Sequence, residues 1–408
     1  MRDRAIHAIS ECRELAAMTE EPGRITRRFL TPPVHDVHAH LRRRMVALGM
    51  EVRADGAGNL RGLWTPPNAG KRRLILGSHI DTVPDGGEFD GVLGVVLALE
   101  WVRLAQEDLL PMPIEVVAFS EEEGVRFGVP FIGSRAVAGR FDPALLALKD
   151  ADGISLHEAI RSFGLDPGAI EGAIVDPDSL GFVEIHIEQG PVLESERRGL
   201  GVVSRIVGQT RLSLEFTGQA NHAGTTPMLM RRDALAGAAE WITAVEVFAA
   251  RTEGLAATVG RLALEPNAAN VIPGKARLSL DVRHSLDADR EAAVQELLSK
   301  AEDIAARRGL TLESTRQMNE PAIPMDERLT AYLADAVEAA GFPARTMPSG
   351  AGHDAMVMAT RLPAAMLFLR TPGGISHHPS ETVMEEDVEA ALHVGRKLLA
   401  RLATEAST

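Results

Sequence analysis

Apolar positions recur at helical spacing over residues 2–19 (Ile6, Ile9, Leu15) and 33–49 (Val37, Leu41, Met45, Leu48), which predicts two amphipathic helices. The stretch between them, Pro22-Gly23-Arg24-Ile25-Thr26-Arg27-Arg28-Phe29-Leu30-Thr31-Pro32-Pro33, reads as a loop closed by two prolines. Strand patterns follow at residues 51–53, 60–64 and 73–77. The last is an unbroken apolar run, as expected of a strand covered on both faces. A helix is predicted over 92–106 behind Gly91 and Gly94, then a second buried strand over 114–119 and a third over 182–187. Strand, polar loop, helix, strand, polar loop is the grammar of an α/β domain whose working groups stand beyond the carboxyl ends of its strands.

The rhythm changes near residue 209. Strand patterns over 211–216, 257–264, 276–282 and 311–316, with helices over 232–248 and 287–308, spell β-α-β-β-α-β. That is the order of a ferredoxin-like sandwich. α/β character then resumes with a helix over 327–340, a strand over 364–370 and a last helix over 384–403. The expected organisation is an α/β domain built from residues 1–208 and 326–408, with 209–325 inserted between its halves. A chain of 408 residues is long enough to call for two cores.

Charge narrows the partners. With 43 basic against 57 acidic residues the net charge is −14, which argues against nucleic acid or an anionic membrane. A small anionic ligand stays compatible, because one well-placed arginine overrides the global field. Cys12 is the only cysteine, which excludes an internal disulfide or thiolate cluster and points to a reducing, cytoplasmic setting. No run reaches the roughly 18 apolar residues of a membrane span, and the N-terminus carries no apolar signal core.

Four segments carry metal-ligating side chains at predicted strand ends and loops: Gly77-Ser78-His79-Ile80-Asp81, Glu88-Phe89-Asp90-Gly91, Glu121-Glu122-Glu123-Gly124 and His186-Ile187-Glu188-Gln189-Gly190. A fifth, Ser376-His377-His378-Pro379, lies near the C-terminus. Imidazole and carboxylate suit Zn²⁺ and Mn²⁺, and a paired site needs about five such ligands with one shared. His79 and Asp81 fall on one side of an extended segment, and a carboxylate commonly orients a ligand histidine. Asp90 suits a bridging ligand or, equally, a helix N-cap. Three adjacent glutamates repel one another unless cations or protons neutralise them, so they read as ligand plus general base or as a solvated turn. His186 on an apolar strand suits a core histidine as well as a ligand. Gly352 and His353, in the flexible loop Ser349-Gly350-Ala351-Gly352-His353-Asp354, are candidate substrate contacts. His222 lies in a loop rich in hydrogen-bonding groups, and Asn270 and Arg283 are further polar groups with no obvious core role, the Arg283 guanidinium suiting a carboxylate or a surface ion pair.

In this order the segments resemble the two-metal amidohydrolases of the M20 peptidase clan, over nearly the whole chain. The resemblance is to the branch holding allantoate amidohydrolases, N-carbamoyl-L-amino-acid hydrolases and β-ureidopropionases. Aminoacylase-like and carboxypeptidase-like members usually have a carboxylate where this chain has His186, so the run from His186 to Gly190 points to the ureido-cleaving branch.

The resemblance implies an α/β, dinuclear-metal exopeptidase-like catalytic domain with an inserted ferredoxin-like α+β lid and dimerisation domain. It implies two divalent ions, Zn²⁺ or Mn²⁺: one on His79, Asp90 and His186, the other on Asp90, Glu123 and His377. Glu122 would be the general base, with Asp81 and Glu121 in support. Gln189, Asn270 and Arg283 would contact substrate, Arg283 at its carboxylate, and His222 would cross a homodimer interface to stabilise the tetrahedral intermediate. The implied reaction cleaves the ureido C–N bond of a small carboxylate, releasing ammonia and CO₂. Arg27-Arg28-Phe29-Leu30-Thr31-Pro32 resembles a segment common among allantoate amidohydrolases, with Thr31 for the usual serine, and favours allantoate. An N-carbamoyl amino acid is the alternative, and an aminoacylase or peptidase activity ranks below it. A non-catalytic binding role is disfavoured by the intact Glu122 and ligand set.

Overall fold

The unbroken apolar runs form the middle of a mixed sheet. In the computed structural model, which describes residues 1–67 and 69–406, strands Leu74–His79, Ile114–Phe119, Gly181–Ile187 and Ala364–Leu369 are buried along their whole length. They are mutually parallel: Leu74–His79 lies between Ile114–Phe119 and Gly181–Ile187, and Ala364–Leu369 follows beyond Gly181–Ile187. Such strands need apolar side chains on both faces, which is why no alternation shows in their sequence. Antiparallel strands widen the sheet, Leu60–Trp64 and Glu51–Ala54 on one side and Leu200–Ile206 on the other. Helix Val92–Glu107 is buried nearly all round, Trp101 completely, because strands Leu74–His79 and Gly181–Ile187 and helices Arg2–Ala16 and Glu385–Ala406 all pack against it.

The chain divides into two compact units, one of residues 1–204 with 325–408 and one of 205–324. The second unit holds a four-stranded antiparallel sheet in the order Thr311–Glu320, Gly208–Thr217, Lys275–His284, Ala256–Glu265. Helices Ala234–Arg251 and Asp287–Arg308 cover one face over a core that includes Leu212, Leu214, Phe216, Trp241, Leu280 and Leu297. Strand Gly208–Thr217 therefore alternates between buried and half-exposed positions. Asp233 caps the first helix at the N–H of Ala236, and Gly309 ends the second at φ 64°.

Two stretches differ from the pattern reading. Residues 125–180, which show no clear period, hold the short helices Ile132–Val137 and Leu156–Ser162 and the 3-10 turns Pro143–Ala147 and Pro167–Ala173. One or two turns are too few to display a 3.6-residue repeat. Their local signatures are caps: the Ser155–Glu158 capping box, and Asp142-Pro143 and Asp166-Pro167 at the starts of the 3-10 turns. The strand predicted to end at residue 77 continues two residues further, so that His79 is its last member. Among the described residues no helix is long and apolar enough to cross a membrane.

Candidate active site

Parallel pairing sets the carboxyl ends of Ile114–Phe119, Leu74–His79 and Gly181–Ile187 side by side, with Phe119 opposite His79. His79 ends its strand, the three glutamates follow theirs, and His186 is next to last in its own. Asp90 arrives from the turn before Val92–Glu107, and His377 from the loop after Ala364–Leu369. That turn requires Gly91: its φ is +69°, and a Cβ there would stand 2.5 Å from the His79 ring.

Asp90 is the hub. Its Oδ1 lies 3.2 Å from His186 Nε2 and 3.8 Å from His79 Nε2, while Oδ2 lies 3.1 Å from His377 Nε2. His377 Nε2 is also 3.2 Å from Glu123 Oε1. Ligand atoms of His79, Asp90 and His186 gather within 4.8 Å, as do those of Asp90, Glu123 and His377, and of His79, Glu122 and Glu123. The outer nitrogens are engaged already: Nδ1 of His79 donates to the Asp81 carbonyl at 3.0 Å, and Nδ1 of His186 to the Ile187 carbonyl at 2.8 Å. In that tautomer neither Nε2 carries a proton, yet the two stand only 3.3 Å apart. Two converging lone pairs beside a carboxylate form a cradle for a cation. Asp81 holds the glutamate turn, its two oxygens accepting the backbone N–H groups of Glu122 (2.9 Å) and Glu123 (3.0 Å).

Charge makes the same point. Asp81, Asp90, Glu121, Glu122 and Glu123 crowd largely buried carboxylates into one place. Burial lifts Glu122 and Glu123 above the usual carboxylate range. Burial also works to raise Asp90, but the His377 hydrogen bond and the neighbouring imidazoles hold it well below. Asp90 and Glu123 in turn push His377 up to about 10, whereas burial drops His186 to about 4. Shifts this opposed arise where acidic and basic groups are crowded together out of water, as they are at many functional sites. Imidazole nitrogens and carboxylate oxygens without a thiolate fit Zn²⁺ or Mn²⁺.

Residues 75–404 match the sequence profile of peptidase family M20/M25/M40. The chain belongs to that family. It is 37% identical to an N-carbamoyl-L-amino acid amidohydrolase of Geobacillus stearothermophilus, over 93% of this chain and 94% of that one. It is 36% identical to an allantoate deiminase of Arabidopsis thaliana, over 94% and 80% respectively. A solved hydantoinase/carbamoylase-family amidase from Burkholderia multivorans matches with a TM-score of 0.89 at 33% identity, covering 97% of both chains.

In this M20-family chain the other expected residues fall in both units. Gln189, at φ +58°, donates through Nε2 to both Asp90 oxygens (3.2 and 3.3 Å) and lies 3.2 Å from His377 Nε2. Gly352 is half-buried. His353 departs from the expected open loop: it is buried edge-on against His186, with ring centroids 4.5 Å apart and Nε2 3.0 Å from Ser349 Oγ. Ser349 Oγ also bonds both the carbonyl and the N–H of Ala351, which removes the freedom that the glycines suggested.

In the second unit, strands Asn221–His222 and Val271–Ile272 pair, and the Ala223 N–H donates to the Asn270 carbonyl at 3.0 Å. His222 and Asn270 are thus neighbours, both exposed. His222 Nδ1 accepts from the N–H groups of Gly224 (3.0 Å) and Thr225 (3.2 Å), so the neutral ring carries its proton on Nε2. Arg283 donates to the two oxygens of Asp281 at 3.0 and 3.3 Å. The strand register pairs Lys275 with Thr217 but Arg283 with Gln209. At roughly 3.4 Å per residue, Arg283 stands about 27 Å from the end of the sheet that leads to His222.

Sequence reasoning gave no site role to two buried groups. Arg27 donates to the carbonyls of Ile80 (2.6 Å), Leu15 and Met18 (both 2.9 Å), and its backbone exchanges hydrogen bonds with Thr82. It thereby braces the loop that carries Asp81. Glu184 accepts from Ser78 Oγ (3.0 Å) and the Ala355 N–H (2.8 Å). Its position two residues before His186, on the same strand face, was the readable sign.

Proposed function

We propose that this chain is a two-metal hydrolase of ureido carboxylates, with allantoate as its substrate. The observation that carries the reading is the sharing of Asp90 between two groups of ligand-type side chains, with Glu122 beside His79 and Glu123. His79, Asp90 and His186 would hold one divalent ion and Asp90, Glu123 and His377 the other. When bound, such ions lower the pKa of water towards neutrality and polarise the scissile carbonyl. Glu122 accepts the proton of the attacking water on its carboxylate and returns it to the leaving nitrogen as the C–N bond breaks. Breaking that one C–N bond leaves a carbamic acid, which loses CO₂ and so breaks the second, and ammonia, CO₂ and an amine are the products. The buried setting that raises the Glu122 pKa suits a group that must first take and then give a proton. Arg283 grips the substrate carboxylate, while Gln189, Asn270 and the Gly352 loop complete its surroundings. Asp81 and His353 act through the ligands they touch.

The inserted unit serves as lid and dimerisation surface of a cytoplasmic homodimer, hinged near residues 208 and 325. Arg283 pairs with Gln209 at one end of its strand while the chain leaves for His222 beyond Thr217 at the other, which supports the two meeting one substrate from different copies. His222 then comes from the second copy, its Nε2–H donating to the developing oxyanion. Exposed Met228, Leu229 and Met230, in the turn just after His222, supply apolar surface for that contact. Supply across chains predicts complementation. His222→Ala and Glu122→Gln proteins should each be nearly inactive, yet dissociated and reassociated together they should recover about a quarter of the wild-type rate, one restored site per mixed dimer. Mixed dimers that recover nothing would rule out His222 acting across the interface.

Ammonia-release assays test the substrate. Allantoate should turn over with a higher kcat/KM than N-carbamoyl-L-amino acids, and N-acyl amino acids should trail both. The preference rests on the likeness of segment 27–32 to that of allantoate amidohydrolases. The Geobacillus relative, at 37% identity, favours the N-carbamoyl amino acid as a second reading, and faster turnover of that class would make it the first.

A further inference from the structure

Asp90 and His377 reach the proposed metal site from distant parts of the chain, and something must hold the two segments in step. Glu381 touches both. Its Oε1 accepts the N–H groups of Phe89 and of Asp90, each at 3.0 Å, across 292 and 291 residues of sequence. Its Oε2 accepts from Ser376 Oγ at 2.9 Å, and its own N–H donates to the His378 carbonyl at 3.0 Å. The side chain is buried, 3% exposed, and lies flush on Gly87, where a Cβ would stand 2.1 Å from its carboxyl carbon. Between Ser376 and Glu381 sits His377 at φ +55°, a conformation that L residues other than glycine hold only when their surroundings impose it. Glu381 makes none of these bonds to a carboxylate or imidazole of the site, so it competes for no ligand atom.

From this geometry we infer that Glu381 is a positioning residue: one carboxylate clamps the Asp90 turn to the His377 loop and sets the 3.1 Å gap between Asp90 Oδ2 and His377 Nε2. The inference deepens the two-metal reading and rests on it. Its effect should fall on the ion assigned to Asp90, Glu123 and His377 more than on the ion that includes His79 and His186. Groups that orient ligands in this way typically change metal affinity by 10–100-fold.

The test is a chelator-competition titration of metal-free protein with Zn²⁺ and with Co²⁺, reading both affinities and the visible Co²⁺ spectrum. Glu381→Ala should weaken one ion by about 10–100-fold and alter its spectrum, with the second ion much less affected. Glu381→Gln should lie between Ala and wild type, since its carbonyl can still accept from Phe89 and Asp90 and Ser376 can turn its hydroxyl to accept from the amide. Gly87→Ala, which displaces the carboxylate without removing it, should resemble Glu381→Ala. Unfolding midpoints of the metal-free proteins separate a positioning role from a merely structural one. Affinity that falls only in proportion to metal-free stability, or binding of both ions unchanged in Glu381→Ala and Glu381→Gln, would overturn the inference. A wild-type protein that takes up fewer than two ions would instead sink the two-metal reading, and this inference with it.

Discussion

Glu122→Gln is expected to keep its fold and its metal and to lose about 10²–10⁴-fold in kcat, with KM little changed. The carboxamide occupies the same volume, and the backbone N–H that Asp81 holds at 2.9 Å is untouched by the substitution. What disappears is the ability to take a proton from water and return it to nitrogen. The neighbours are poor substitutes: Glu123 is engaged with His377 at 3.2 Å, and Glu121 is fully buried. Steady-state rates read beside elemental analysis decide the matter. A variant with normal metal content that retained more than a tenth of wild-type kcat would exclude Glu122 as the proton carrier.

Local pattern carried some of this structure and could not carry the rest. Helix Asp287–Arg308 is legible to the residue, because acidic side chains open it and Gly309 closes it. The buried parallel strands are legible as unbroken apolar runs, which is also why His79 and the glutamates stand out at their ends. Asp90 was ambiguous between cap and ligand. The helix behind it has Gly91 at its N-cap and no side-chain cap, so the Asp90 carboxylate remains free to face three imidazoles. The glutamate triplet offers no internal sign of which member does what, since its orientation comes from Asp81, 41 residues earlier. Glu184 and Glu381 act through contacts 106 and 291 residues away, and no window along the chain contains both partners. His353 differs from the open-loop expectation only in being buried, for a related reason. Gly350 and Gly352, both before it, suggest mobility, but Ser349, four residues before it, hydrogen-bonds its ring.

Asp90→Ala should have the largest consequence for metal. His377 belongs to one ligand group and His186 to the group on the other side, but Asp90 belongs to both. Its removal should therefore lower metal content to below one ion per chain and abolish measurable turnover, whereas His377→Ala should lose a single ion. Thermal unfolding gives an independent reading. Ligand binding to the folded state stabilises it by RT ln(1 + [L]/Kd), about 4 kcal/mol at a thousandfold excess over Kd, so wild-type protein should gain several degrees when metal is restored after chelation. Asp90→Ala should gain almost nothing. Its metal-free midpoint should fall below that of metal-free wild type, because His377, His186 and Gln189 lose the buried carboxylate that faces them. Two tightly bound ions in Asp90→Ala, or a wild-type midpoint indifferent to metal, would show that the side chains gathered around Asp90 are held together for some purpose other than binding cations.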